Sequence, residues 1–233
     1  MKAVITGASK GIGAAIAELF ASKGVDIAIC ARNEQDLKEF HSSLEKKYPN
    51  VEIISMPVDV SDKSQIDDFS NMLKSTWSTL DILVNNAGVY APGEVHTEGE
   101  GVLENMMEVN VYGPYNLTRA LMPYFLKQEH GYIFNMCSVA SLIAYPNGGS
   151  YSITKFALNG MTKVLRAELK DKGIKVCGVF PGATWSASWA GVELPEHRLM
   201  QAEDVAKAIW LQLELSPSAV MEDIVLRPQL GDL

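Results

Sequence analysis

Short apolar runs alternate with longer stretches of helical period along the whole 233-residue chain, and this alternation restricts its fold most. The runs Lys2–Thr6, Asp26–Ala31, Val51–Val58, Leu80–Asn85, Gly131–Cys137, Lys175–Phe180 and Asp223–Leu226 predict strands. They are rich in Val and Ile with little polar alternation, as in strands covered on both faces. Between them Gly11–Lys23, Glu34–Lys47, Lys63–Ser78, Gly101–Gln128, Ser152–Lys172 and Ala202–Leu215 predict helices. Strand and helix in turn imply right-handed crossovers and a parallel sheet. The expectation is an α/β fold, a Rossmann-type doubly wound parallel sheet of about seven strands with helices on both faces. No linker, repeat or low-complexity tract divides residues 1–233, which are expected to form one domain. The least regular span, Gly182–Gln201, is long for a connection and reads as a lid over a site or as plain disorder.

Composition removes several function classes. Hydrophobic residues make up 47% of the chain, enough for a core without disulfides or a structural metal. A formal charge of −8 argues against non-specific nucleic-acid binding, which needs a basic surface. Cys30, Cys137 and Cys177 each sit in an apolar run, where a buried free thiol is the ordinary state. No CxxC or HExxH spacing points to a metal. No signal-type segment precedes the first strand and no run of 18 apolar residues spans a bilayer, so a cytoplasmic, non-membrane protein is expected.

Two motifs carry chemistry. Thr6-Gly7-Ala8-Ser9-Lys10-Gly11-Ile12-Gly13 follows the first strand and opens the first helix. Gly7 permits a tight turn, Gly11 lets the backbone approach a pyrophosphate, and Gly13 lets helix and sheet pack closely. The helix N-terminus then offers free N–H groups to phosphate. Further on, Tyr151 and Lys155 stand four residues apart, on one face of a helix. A tyrosine can deliver the proton that a developing alkoxide needs, and a neighbouring ammonium stabilises the phenolate left behind. Ser138, at the end of the fifth strand, can hydrogen-bond the substrate oxygen. Each signal alone is weak, since glycines mark many turns and a Tyr-x-x-x-Lys pair is often an ordinary surface pair.

Together and in this order, TGxxxGIG, Asn85-Asn86-Ala87-Gly88, Ser138 and Tyr151-x-x-x-Lys155 resemble the short-chain dehydrogenase/reductase family. The likeness runs from Lys2 to about Ser186. It implies hydride transfer between a nicotinamide cofactor and a carbonyl or alcohol, with Asn110, Ser138, Tyr151 and Lys155 as the catalytic set. In the family the Asn110 position offers its backbone carbonyl to a water that connects the lysine to solvent. The resemblance also implies cofactor contacts from Gly7, Ser9, Lys10, Gly11, Ile12 and Gly13, from Asp59 and Val60, and from Asn86, Ala87 and Gly88. Tyr151, Lys155, Pro181, Gly182, Thr184 and Ser186 complete that set at the nicotinamide end. By their residues alone, Asp59 could equally be a helix-capping acid and Asn86-Ala87-Gly88 merely a turn.

The second strand ends in Ala31 where NAD-selective sites carry an acid, and Arg32 follows it. Arg32 and Lys10 suit a 2′-phosphate, so NADP(H) is expected rather than NAD, although both could be ordinary solvated charges. The tail Glu222–Leu233 and the run Pro181–Trp189 are similar to bacterial sepiapterin reductases. Candidate substrates are therefore a pterin side-chain ketone or a 3-oxoacyl thioester. Trp185 and Trp189 either stack on a flat substrate or pack the loop. The family also implies a homodimer or homotetramer acting on a small molecule. The alternative function is a catalytically silent dinucleotide-binding sensor, which would have no need of the intact Ser-Tyr-Lys set.

Overall fold

The Val/Ile-rich runs form the strands, and the five inner ones bury both faces. In the computed structural model, which describes residues 1–185 and 193–232, seven strands lie in one sheet. They are β1 (Lys2–Thr6), β2 (Asp26–Ala31), β3 (Ile53–Pro57), β4 (Ile82–Asn85), β5 (Gly131–Met136), β6 (Ile174–Pro181) and β7 (Asp223–Leu226). Their order is β3-β2-β1-β4-β5-β6-β7 and every pairing is parallel. The chain winds outward from β1 to β3, then returns to place β4 on the other side of β1. Beyond the ends of β1 and β4 this reversal leaves the crevice where open α/β sheets bind ligands.

Helices α1 (Gly11–Ser22), α2 (Glu34–Lys47), α3 (Lys63–Thr76), α4 (Val102–Met107), α5 (Gly113–Gln128), α6 (Gly149–Leu169) and α7 (Ala202–Glu214) cover the sheet. On one face α1, α2 and α7 bury Ile16, Phe20, Leu37, Val205 and Ile209 against Ile5, Ile29 and Val179. On the other, α3, α5 and α6 bury Phe69, Leu121, Phe125 and Leu169 against Val4, Leu83 and Val176. Each such side chain contributes about 1.5–3 kcal/mol by leaving water. The three cysteines are buried and free, and burial pushes their thiols up to about 12, 11 and 12 for Cys30, Cys137 and Cys177. Among the described residues no helix is long and apolar enough to cross a membrane.

Most elements differ from the sequence expectation only by a residue or two at their ends, and two larger differences bear on the site. The helix expected over Gly101–Gln128 is broken into α4, a π-helical turn over Glu108–Tyr112, and α5. Pro114 explains the break: it has no N–H to return to the carbonyl of Asn110, four residues earlier. Helix α6 begins at Gly149, three residues before the expected start at Ser152, so Tyr151 lies inside its first turn.

Candidate active site

The glycine turn between β1 and α1 is built by close approach. Gly7 (φ +63°) and Gly11 (φ +57°) adopt left-handed backbone, which glycine alone enters freely. A Cβ on Gly13 would collide with the Gly7 carbonyl and the Asn86 amide nitrogen. Asn86 donates from Nδ2 to the carbonyls of Thr6 (2.8 Å) and Gly7 (3.1 Å), tying the turn to the end of β4. Thr6 answers with Oγ1, which accepts from the amides of Asn86 (3.0 Å) and Ala87 (2.9 Å). Among the described residues no side chain caps the start of α1, after Lys10. Its first-turn amides and the positive end of its dipole are thus left for an anionic group.

Around this turn lie the other expected nucleotide-side residues. Arg32 is exposed directly after β2, and the Lys10 ammonium pairs with Asp36 Oδ2 at 2.7 Å. Asp59 accepts from the Ser61 amide (3.0 Å) and hydroxyl (2.6 Å), while the cap of α3 is Asp62. The capping alternative for Asp59 is therefore set aside. Val60 is buried, its carbonyl oxygen 2.8 Å from where a Cβ on Gly113 would lie.

The reacting side is assembled from three elements. Just beyond β5, Ser138 is buried, and its Oγ accepts from the Ala140 amide at 3.2 Å. A hydroxyl that accepts still has its own proton to give. Helix α6 carries Tyr151 and Lys155 and reaches the end of the same strand. Lys155 is 4% exposed and donates from Nζ to the Met136 carbonyl (2.7 Å), while lying 5.6 Å from the centre of the Tyr151 ring. The strand end thus aims the ammonium beneath the phenol.

Asn110, in the π-helical turn, ties the loop after β4 to α6 through its side chain. Its Oδ1 accepts from the Val89 amide (2.8 Å), and its Nδ2 donates to the Val89 carbonyl and the Thr154 hydroxyl, both at 3.0 Å. Gly88 lies between, where a Cβ would be 3.2 Å from Asn110 Oδ1 and 3.6 Å from Lys155 Nζ. Thus Gly88, Asn110 and Lys155 meet at one point.

The structure adds two tyrosines that sequence reasoning missed. Tyr90 sets its ring edge-on to Tyr151, with centroids 4.9 Å apart. Tyr145 lies near both; burial, then the proximity of Tyr90 and Tyr151, pushes its phenol up to about 12, so it stays a neutral donor. Their signals were faint: Tyr90 follows Asn86-Ala87-Gly88 by two residues, and Tyr145 stands in an irregular stretch.

At the end of β6, Thr184 is buried and turns its hydroxyl to the Gly182 carbonyl (2.9 Å). The base of the expected lid is closed by Thr184 and Met200, which pair as a parallel bridge. Trp185 donates its amide to Met200 and Met200 its amide to Ala183. Ser186 and Trp189 lie outside the described residues. The C-terminal segment reaches the same corner: Asp232 lies against Gly182 and pairs with Arg227, and Arg198 donates to the carbonyls of Gly231 and Asp232.

The family model described as short chain dehydrogenase matches residues 1–196. An uncharacterised oxidoreductase of Staphylococcus epidermidis is 31% identical over 226 residues, which cover 97% of this chain and 96% of the relative. Among solved structures, an alcohol dehydrogenase from the archaeon Thermococcus sibiricus, complexed with 5-hydroxy-NADP, is similar with a TM-score of 0.91 at 27% identity. That match covers 100% of this chain and 98% of the other. The L-sorbose reductase of Gluconobacter frateurii, complexed with NADPH and L-sorbose, is similar with a TM-score of 0.87 at 27% identity, over 97% and 95% of the two chains. Family match, full-length relatives and shared architecture agree: this chain belongs to the short-chain dehydrogenase family and is an oxidoreductase of that type.

Proposed function

We propose that this protein transfers hydride between NADP(H) and a small carbonyl or alcohol substrate, as a carbonyl reductase. The observation that carries the reading is the Lys155 ammonium, held by the Met136 carbonyl two residues before Ser138 and 5.6 Å from the centre of the Tyr151 ring. When bound, the reduced nicotinamide supplies the hydride. The protein's own residues then answer for the substrate oxygen. Ser138 donates its free hydroxyl proton to that oxygen, and Tyr151 gives up its phenolic proton as negative charge develops there. Lys155 stabilises the phenolate electrostatically. The Asn110 carbonyl, which has no α-helical donor because residue 114 is proline, suits a water that relays a proton from solvent through Lys155 back to the Tyr151 phenolate.

The residues fit a dinucleotide. Gly7, Ser9, Gly11, Ile12 and Gly13 would hold the pyrophosphate at the uncapped start of α1, where a Cβ on Gly13 has no room. Lys10 and Arg32 would hold a 2′-phosphate, with no acid at Ala31 to favour a free hydroxyl. Asp59 and Val60 would meet the adenine, Asn86-Ala87-Gly88 the adjoining ribose, and Pro181, Gly182, Thr184 and Ser186 the carboxamide. The NADP complexes of similar proteins support the same choice.

For the substrate, the reading favours a flat ketone bearing N–H groups, such as a pterin side-chain ketone, over a 3-oxoacyl thioester. Tyr90 and Tyr145 offer ring edges, and Asp232 Oδ1 is a buried acceptor without a hydrogen-bond partner among the described residues. Exposed Tyr112, Tyr115, Phe156 and Val164 on the α4–α6 side support pairing of α5 and α6 in a homo-oligomer. Light scattering at the 25.5 kDa of one chain would remove that part.

The test follows NADPH absorbance with sepiapterin, an acetoacetyl thioester, aromatic diketones and simple aldehydes, with NADH in parallel and Tyr151→Phe as control. Turnover that disappears in the control supports the chemistry. Binding of NADPH without turnover of any carbonyl would favour the silent sensor, and no dinucleotide binding would overturn the reading.

A further inference from the structure

The first turn of α6, which carries Tyr151, begins without a side-chain cap of its own: its N-cap is Gly148, followed by Gly149 at φ +31°. The missing acceptor arrives from 52 residues earlier. Glu98 takes the Ser150 amide on Oε1 at 2.9 Å, and Oε2 accepts a short hydrogen bond from the Ser150 hydroxyl. Both carboxylate oxygens are thus spent on the residue immediately before Tyr151. These two bonds hold the Glu98 carboxyl below the usual carboxylate range, so the acceptor stays ionised at neutral pH, next to the positive end of a 21-residue helix.

The surroundings are shaped for this side chain. A Cβ on Gly93 would lie 2.8 Å from Glu98 Cγ, and one on Gly149 would collide with Oε1. A turn sets Glu98 in place, its amide and that of Thr97 both donating to the Glu94 carbonyl at 2.9 Å. Gly93 donates its amide to Asn147 (3.1 Å) and pairs with Gly148 as a parallel bridge. The loop from Gly88 to Gly101 therefore grips α6 at three places. Val89 does so through Asn110 and Thr154, Tyr90 on the Tyr151 ring, and Glu98 on Ser150.

We propose that Glu98 is a positioning residue for the reaction: its carboxylate clamps the first turn of α6 and so fixes the Tyr151 phenol against Ser138 and Lys155. This rests on the hydride-transfer reading above. Tyr151 lies one residue beyond the clamped amide, so a turn that frays there carries the phenol with it. Displacing a proton donor by about 1 Å can cost on the order of a hundredfold in rate. Glu98 touches neither Tyr151 nor the glycine turn in any bond described above, so its loss acts on geometry and leaves nucleotide binding alone.

The experiment compares Glu98→Ala, Glu98→Gln and Ser150→Ala with wild type in three measurements. These are kcat and KM on the best carbonyl, NADPH affinity by fluorescence, and hydrogen–deuterium exchange of the Ser150–Thr154 amides. Glu98→Ala is expected to lose exchange protection in that turn and roughly tenfold or more in kcat, with NADPH affinity unchanged. Glu98→Gln, whose amide can accept from the Ser150 N–H and donate to its hydroxyl, should recover most of both. Ser150→Ala, which keeps only the backbone bond, should fall between. A Glu98→Ala protein that melts earlier yet keeps its kcat and its exchange pattern would overturn the proposal, reducing Glu98 to a staple of the fold. Should Glu98→Ala not fold, a Glu98→Gln and Ser150→Ala pair both with wild-type kcat and exchange would overturn it equally. If the wild-type protein reduces no carbonyl, the functional reading fails, and the exchange measurement by itself decides whether the clamp exists.

Discussion

The two ends of the crevice are made by different means. The end proposed for the nucleotide is mostly backbone: glycines at 7, 11 and 13, an uncapped helix start, and the Thr6–Asn86 exchange across two neighbouring strands. The substrate end is mostly side chain, gathered from β5, α6, the π-helical turn, the loop after β4 and the C-terminal segment. Backbone sites tolerate no added atoms but ask little of distant residues. Side-chain sites tolerate some change at each position, and they depend on contacts made across the whole fold.

The largest effect expected is at the substrate end. Tyr151→Phe should cost about 10²–10⁴-fold in kcat and far less in NADPH affinity, because it removes the proton donor and only one of many cofactor contacts. Equal loss of binding would show that the two ends are not separable. At the nucleotide end, Gly13→Ala forces a methyl into the Gly7 carbonyl and the Asn86 amide. We expect it to abolish dinucleotide binding and to lower stability by about 1–3 kcal/mol, read from urea midpoints. A variant that binds NADPH normally would contradict the close-packed turn.

Asn110→Ala tests the long-range character of the substrate end. It leaves the Val89 amide and carbonyl without their partner and takes a donor from the Thr154 hydroxyl, which keeps its bond to the Tyr151 carbonyl, a cost of about 1–3 kcal/mol together with a fall in kcat. Stability unchanged in chemical denaturation would mean that solvent replaces the side chain at no cost. The smallest effect concerns Asp36, which pairs with the Lys10 ammonium proposed to hold a 2′-phosphate. Because exposed pairs contribute about 0–1 kcal/mol, Asp36→Asn should tighten NADPH binding by at most about fivefold and leave NADH unchanged. Weaker NADPH binding would mean that Asp36 orients Lys10 instead of restraining it.

The same contrast explains what could be read before the structure was known. The elements before β4 follow apolar period, and α2 and α3 start at the Asn33 and Asp62 caps, which act over three residues or fewer. The π-helical turn was hidden because a long apolar period reads as one helix, although Pro114 was the signal that a carbonyl at Asn110 would go unpaired. Tyr90, Tyr145 and Glu98 had no such signal. Their partners lie far along the chain, 61 residues away for Tyr90 and Tyr151 and 52 for Glu98 and Ser150.

By itself the sequence determined the α/β alternation, the glycine turn and the order of the reacting residues, since each depends on spacing within one element or on neighbouring elements. Tertiary structure alone decided where those residues meet. The strand order β3-β2-β1-β4-β5-β6-β7 brings the end of β4 beside those of β1 and β5, and only then can Asn86 hold the glycine turn and Asn110 reach Thr154. A hydrogen bond requires its partners within about 3 Å, and no local spacing encodes that distance between segments so far apart in the chain.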